Sequence, residues 1–106
     1  MYMPVSYDGP VEDYKKLLNG VQLWDVGVER QVQIKGPDAE ALSQFLTPRN
    51  IKKCAIGQAM YTPLVDVKGG LINDPVMLKI DEDCYWFSVS DGDLLLWVQG
   101  IAAGYK

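Results

Sequence analysis

Two extended apolar runs, residues 58–66 and 70–80, flank a turn at residues 67–70 that ends in two glycines, and this pattern constrains the fold most. Glycine reaches the positive φ angles of tight turns at little cost, so the pattern predicts a β-hairpin. Asp74 places a carboxylate inside the second run. Because a buried carboxylate without a partner is costly, we expect Asp74 to have either a partner or a chemical role.

Start and stop signals predict further elements on both sides of the hairpin. Pro10 and the acidic residues after it favour a helix start, and Asn19-Gly20 favours its end. Apolar residues at helical spacing predict a second helix, which Thr47-Pro48 ends. The predicted elements are a helix over residues 10–20, strands over 21–26 and 31–34, a helix over 41–46, a strand over 84–89 and a helix that begins near Asp91.

The order of these elements predicts the fold class. From residue 30 onward the order is strand, helix, strand, strand, strand, helix, which is typical of a split βαβ (ferredoxin-like) arrangement. We therefore expect an α+β fold in which helices pack on one face of an antiparallel sheet. The last helix has no return strand after it, so we predict that residues 1–106 form a single, incomplete domain.

Composition excludes several functional classes. The net charge is −4 and the ten basic residues are spread thinly, so we expect no nucleic-acid partner. No apolar run approaches the length of a membrane span and no secretory signal is visible, so we expect no membrane association and a cytoplasmic location. The chain has no histidine, and its two cysteines lack Cys-x-x-Cys spacing, so we expect free thiols and no metal site.

Several short motifs carry a resemblance to a known family. They are Leu23-Trp24-Asp25-Val26, residues 31–39 (QVQIKGPDA), Phe45-Leu46-Thr47-Pro48, Gly57-Gln58-Ala59-Met60-Tyr61 and residues 69–74 (GGLIND). In this order and spacing they resemble the amino-terminal part of the sequences of the glycine cleavage T-protein family. That family contains folate-dependent aminomethyltransferases and relatives that demethylate sarcosine, dimethylglycine or dimethylsulfoniopropionate. The resemblance implies part of a T-protein folate-binding domain, with tetrahydrofolate as cofactor.

Two departures from the aminomethyltransferase pattern indicate a particular branch of the family. Residues 24–31 (WDVGVERQ) lack the Ser-His-Met that aminomethyltransferases usually show after the aspartate. The paired acids expected after the double glycine are Asn73-Asp74 here. Both features resemble the branch that contains dimethylsulfoniopropionate demethylase. The resemblance therefore implies a small sulfonium or N-methyl compound as the methyl donor.

The resemblance also implies four site residues. Asp74 matches the acidic residue beside the pteridine ring of tetrahydrofolate, where a carboxylate can orient a ring nitrogen and stabilise developing positive charge. Tyr61, Trp86 and Ser88 match positions that line the folate slot, and Trp86 and Ser88 share a strand face. Without the resemblance, Asp74 is interpreted as a strand-end or exposed edge carboxylate, and Tyr61 and Trp86 are as well explained as core residues.

Two charged segments and the function of the chain each have more than one interpretation. Residues Glu29-Arg30 can form a substrate-directed pair, although a solvated surface pair is favoured. A basic loop with Arg49, Lys52 and Lys53 can attract the glutamate tail of folate, although solvation explains it as well. For function, the alternatives to the amino-terminal part of a folate-dependent transferase are a non-catalytic module that binds a flat heterocycle weakly, or a chain that associates with itself through an open sheet edge.

Overall fold

The computed structural model describes residues 4–24, 27–89 and 92–104. The described residues form three α-helices, six β-strands and a 3-10 turn over Ile51–Lys53. In chain order the helices and strands are α1 (Pro10–Asn19), β1 (Arg30–Lys35), α2 (Ala39–Phe45), β2 (Ala59–Tyr61), β3 (Leu64–Val65), β4 (Leu71–Asn73), β5 (Val76–Asp81), β6 (Cys84–Val89) and α3 (Leu94–Gly104).

The strands form two antiparallel sheets. The larger sheet has the order β1-β6-β5-β2, and β3 and β4 form a separate two-stranded sheet. Helices α2 and α3 supply residues to the same apolar core as one face of the larger sheet. The predicted α+β class, with helices packed on an antiparallel sheet, is therefore confirmed.

Alternation along the central strands decides which face of the larger sheet is buried. Val32, Met77 and Phe87 are paired across β1, β5 and β6, and all three point into the core. Opposite residues in antiparallel strands project to the same side, so one buried row fixes the buried face for all three strands. The intervening residues of these strands lie on the other face, which no helix of the described chain covers with buried residues.

The hairpin prediction is confirmed, but each long run is divided into two strands. β3 and β4 pair around the predicted turn, where the Asp66 carboxylate accepts hydrogen bonds from the amides of Lys68 and Gly70, both at 2.8 Å. Thr62-Pro63 separates β2 from β3, and Asp74-Pro75 separates β4 from β5. Proline has no N–H to donate to a ladder, so each run changes sheets at its proline.

Two predicted boundaries need correction or fall outside the described residues. The predicted strand over residues 21–26 is wrong for residues 21–24, which pair with no strand and leave Val21 and Leu23 fully exposed. Asp25 and Val26 lie outside the described residues, as does Asp91, near which we predicted the last helix to begin. Helix α3 begins at Leu94, and the Asp93 carboxylate accepts a hydrogen bond from the Leu96 amide at 3.2 Å.

The predicted first helix is confirmed as α1, but α1 buries no residue. The Asp13 carboxylate accepts hydrogen bonds from the amides of Tyr7 and Asp8 before the helix, and Lys16 pairs with Asp8. Acidic residues in the first turn and a lysine in the last match the helix dipole, as the sequence indicated. These contacts are local, and no residue of α1 is buried against the sheet.

We expect Gly92→Ala to destabilise the protein. Gly92 has a φ of +76°, and a Cβ there would lie 2.8 Å from Nδ2 of Asn73. Holding a residue other than glycine in this region costs about 1–3 kcal/mol, before the contact with Asn73 is counted. The measurement is the urea unfolding midpoint. Gly100→Ala, inside α3 with open space around its Cβ, is the matched control and should be neutral or stabilising. Equal midpoints for the two variants would contradict this expectation.

We also expect the protein to lose stability at alkaline pH. Nζ of Lys79 lies 3.2 Å from a Glu82 oxygen, and this hydrogen bond is the main reason that the pKa of Lys79 is raised above 10.5. Burial is the main reason that the pKa of Tyr85 is raised above 10.0. A group whose pKa is higher in the folded than in the unfolded state contributes its full stabilisation at pH values below its unfolded-state pKa. The protein loses that contribution as the pH rises through the folded-state pKa.

The measurement is the free energy of unfolding as a function of pH. It should be flat from neutral pH to about pH 9 and fall above about pH 10. Tyr85→Phe removes the phenol that must ionise, so the fall should be shallower in that variant. Equal slopes in the two proteins would remove Tyr85 from the explanation.

Candidate functional site

Three of the four predicted site residues lie on one face of the larger sheet. In the strand register, Tyr61 is opposite Val76, Val76 is opposite Ser88, and Ser88 is opposite Gln31. Opposite residues share a face, so these four form one row across the sheet. Two residues further along each strand, Trp86 lies in the next row of the same face. We call this surface the open face; its residues are Gln31, Gln33, Ala59, Tyr61, Val76, Leu78, Trp86 and Ser88.

The open face is apolar at its centre and accessible to solvent. Tyr61 is 51% exposed, Val76 is 41% exposed and Trp86 is 37% exposed, whereas Leu78 and Ser88 are half-buried. Large apolar side chains gathered on an exposed surface indicate a binding or interaction site. Tyr61 and Trp86 are therefore surface residues, and the alternative that placed them in the core is wrong.

Hydrogen bonds hold the side chains of this face in fixed positions. The indole N–H of Trp86 donates to Oε1 of Gln33 at 2.9 Å. The Ser88 hydroxyl donates to Oε2 of Glu29 at 2.9 Å and accepts from Nε2 of Gln31 at 2.9 Å. The aromatic ring and the hydroxyl are thus oriented before any ligand is present, which lowers the entropy that binding must overcome.

Asp74 lies at one end of the open face, and its environment differs from our prediction. The apolar run predicted a carboxylate within a buried strand, but Asp74 is exposed in the connection between β4 and β5, which agrees with the alternative of a strand-end or exposed carboxylate. The reason is Pro75, which interrupts the ladder and takes Asp74 out of the apolar run. Asp74 precedes Val76 by two residues, at the end of the sheet where Tyr61 and Ser88 also lie. Because Asp74 is exposed, water solvates its carboxylate and no partner is needed to offset a cost of burial.

The favoured interpretation of Glu29-Arg30 as a solvated surface pair agrees with the exposed position of Arg30 but not with that of Glu29. Glu29 is half-buried and bonds to Ser88, which lies 59 residues further along the chain. Sequence reasoning also did not assign Gln31 and Gln33 to the site. Their alternation with the buried residues of β1 was visible in the sequence and placed them on the opposite face, but it gave no sign of their partners on β6.

The basic loop lies apart from the open face. The 3-10 turn that carries Lys52 and Lys53 is adjacent to α2 on the core side of the sheet. Nζ of Lys52 lies 3.7 Å from a Glu40 oxygen of α2, and the two side chains are 70% and 41% exposed. Solvated charges account for this loop, and nothing in the described chain directs it toward Tyr61 or Trp86.

The described residues contain no metal-binding cluster and no membrane-spanning helix. Across residues 4–24, 27–89 and 92–104, histidine, cysteine and acidic side chains form no group of three or more that could hold a metal ion. Within the same ranges, no helix combines the length and the apolar character needed to cross a bilayer. Cys54 and Cys84 are free, buried thiols, as the sequence indicated.

Comparisons with known proteins agree with this fold and its motifs. The family model described as the GCVT N-terminal domain matches residues 1–101. The dimethylsulfoniopropionate demethylase DmdA of Ruegeria pomeroyi is 46% identical over 102 residues, which cover 96% of this chain and 28% of that protein. An aminomethyltransferase of Chlorobium luteolum is 29% identical over 106 residues, covering 97% of this chain and 29% of the relative.

A solved structure shows the same fold. The glycine cleavage system aminomethyltransferase T from Bartonella henselae superposes with a TM-score of 0.68 at 18% identity, over 76% of this chain and 23% of that chain. The chain thus spans less than a third of the length of these proteins.

The fold and the family match define the class, which is a T-protein-like α+β domain. The chain belongs to the GCVT N-terminal domain family. Its identity to the demethylase exceeds its identity to the aminomethyltransferase, which agrees with the branch that the departures at residues 24–31 and 73–74 indicated.

Proposed function

We propose that this chain is the amino-terminal part of a tetrahydrofolate-dependent methyl or aminomethyl transferase whose donor is a small sulfonium or N-methyl compound. The observation that carries the proposal is the open face. It brings Tyr61, Trp86 and Ser88 together on one accessible surface, with Asp74 at its end. The family match adds a relative that is a demethylase and relatives that are aminomethyltransferases.

The open face suits a flat heterocycle. An oriented indole beside apolar side chains offers a wide contact surface that loses little entropy on binding. The pteridine ring of tetrahydrofolate is flat, carries polar groups at its edges and accepts a one-carbon unit on its nitrogens. Trp86, Leu78 and Tyr61 would contact the faces of such a ring, and the polar groups around Ser88 would contact its edge.

Asp74 would act on the ring through electrostatics. Its exposed carboxylate can accept a hydrogen bond from a ring nitrogen, hold that nitrogen toward the methyl donor and stabilise positive charge that develops during transfer. Such a charge acts more strongly where water is excluded. We propose that the rest of the longer protein supplies this exclusion, because within this chain Asp74 is open to solvent.

Trp86→Ala tests the proposed face. In the full-length protein we expect about tenfold weaker tetrahydrofolate binding, because loss of an aromatic stacking partner costs about 0.5–1.5 kcal/mol beyond its area. The measurement is anaerobic titration calorimetry. The control is Tyr14→Ala, which removes an exposed aromatic residue of α1. This variant should bind tetrahydrofolate as tightly as the unmodified protein does. Unchanged affinity in Trp86→Ala would remove the open face from folate binding.

A second candidate, self-association, follows from the sheet edges. β1 is the longer of the two edge strands of the larger sheet, and within the described residues no strand pairs with its outer side. An open edge presents unpaired backbone groups that a second chain can complete. Sedimentation velocity over a range of concentrations tests this candidate, and a monomer at the highest concentration would contradict it.

A further inference from the structure

We propose that Glu29 is a positioning residue that makes Ser88 a hydrogen-bond acceptor only, so that the open face discriminates between pterin rings by oxidation state. This inference rests on the proposed function. It starts from the chain of hydrogen bonds Gln31–Ser88–Glu29, whose two contacts are both 2.9 Å long. The ligand class that it selects is a reduced pterin, which carries N–H groups where an oxidised pterin carries bare ring nitrogens.

The first step concerns the Ser88 proton. A hydroxyl has one O–H donor and two acceptor lone pairs. An ionised carboxylate can only accept a hydrogen bond, so the Ser88 hydroxyl donates to Glu29, and this contact fixes the direction of the O–H bond. Ser88 then has no proton left to offer a ligand.

The second step concerns the Ser88 lone pairs. The amide of Gln31 donates to one of them, which leaves a single lone pair on Ser88 Oγ. Ser88 is half-buried on the open face, one row from Trp86, so this lone pair is within reach of the edge of a ring stacked on the indole. A ring N–H can donate a hydrogen bond to this lone pair of Ser88 Oγ. A ring nitrogen without hydrogen is itself an acceptor and would face the Ser88 oxygen with no proton between them.

The chemical consequence is selectivity for the reduced ring. Tetrahydropterins carry N–H groups at ring positions 5 and 8, and fully oxidised pterins have unprotonated nitrogens at both. Leaving a hydrogen-bonding group mispaired on binding costs about 1–3 kcal/mol, which corresponds to about five- to 150-fold in affinity. Glu29 sets this ratio without touching the ligand, because its contact is with Ser88.

The experiment compares two probes, tetrahydrofolate and folic acid, in the full-length protein and its variants under anaerobic conditions. The unmodified protein should bind tetrahydrofolate at least about fivefold more tightly than folic acid. In Glu29→Ala the Ser88 hydroxyl can rotate and donate, so folic acid binding should improve and the ratio should fall severalfold. Glu29→Gln keeps an acceptor for the Ser88 proton and should restore the ratio.

Three further outcomes separate this inference from the proposed function. Ser88→Ala removes both hydrogen-bonding roles and should also lower the ratio, which provides a second test if Glu29→Ala does not fold. If neither Glu29→Ala nor Ser88→Ala changes the ratio of tetrahydrofolate affinity to folic acid affinity, the positioning role is overturned and folate binding is left intact. If the parent binds neither probe, the proposed function fails together with this inference.

Discussion

Phe87→Ala should lower the free energy of unfolding by about 3–5 kcal/mol, the largest loss of stability that we expect from a single substitution in this chain. Phe87 is 0% exposed and lies in the middle of the larger sheet, between Val32 and Met77. Truncation of a buried phenylalanine to alanine costs about 3–5 kcal/mol, because apolar contact is lost and a cavity remains. A domain of this size has about 5–15 kcal/mol of stability in total, so the loss approaches the lower end of that range.

The adjacent residue provides the matched control for this prediction. Trp86 has a larger side chain than Phe87 but projects to the open face, where it is partly exposed. Trp86→Ala should therefore lose less than half the unfolding free energy that Phe87→Ala loses. Circular dichroism during urea titration measures both values. If Trp86→Ala were the more destabilising variant, the assignment of the two sheet faces would be wrong.

Asp74→Asn should lower turnover by about two to three orders of magnitude in the full-length protein, as removal of a single preorganised electrostatic group does in other enzymes. The exposed position of Asp74 makes this a clean test, because an isosteric change at the surface leaves the fold intact. Tetrahydrofolate affinity should change much less than turnover, because stacking on the open face does not involve the carboxylate.

The readout for Asp74 is methyl transfer to tetrahydrofolate under single-turnover conditions, with affinity measured separately. Asp83→Asn removes an exposed carboxylate from the turn between β5 and β6, at the other end of the sheet, and is the control. Transfer rates that are equal in Asp74→Asn and the parent protein would remove Asp74 from the mechanism.

Local patterns in the sequence were sufficient for the sheet faces and for the element types, with the exception of the strand predicted at residues 21–24. The alternation of Gln31, Val32, Gln33 and Ile34 correctly separated the buried from the exposed side of β1. The two-glycine turn correctly predicted the pairing of β3 with β4. These predictions succeed because the period of a strand and the geometry of a turn are properties of adjacent residues.

Features that depend on register between distant strands could not be predicted. Glu29 contacts Ser88 only because β1 pairs with β6 in one particular register, and no local signal at either position specifies it. The error at Asp74 has a different cause, because Pro75, which decides the position of Asp74, is its neighbour in the sequence. The apolar residues around it indicated burial, whereas the proline that follows moves it into an exposed connection between two sheets.

The most direct test of the proposed folate-binding face is methyl and indole NMR of the full-length protein during titration with tetrahydrofolate. The indole N–H of Trp86 and the methyl groups of Val76 and Leu78 should shift, because they lie on the open face. The methyl groups of Val32 and Leu64, which are buried in the core, should remain nearly unchanged. Shifts confined to other surfaces, with the Trp86 indole signal unmoved at saturating ligand, would contradict the proposal.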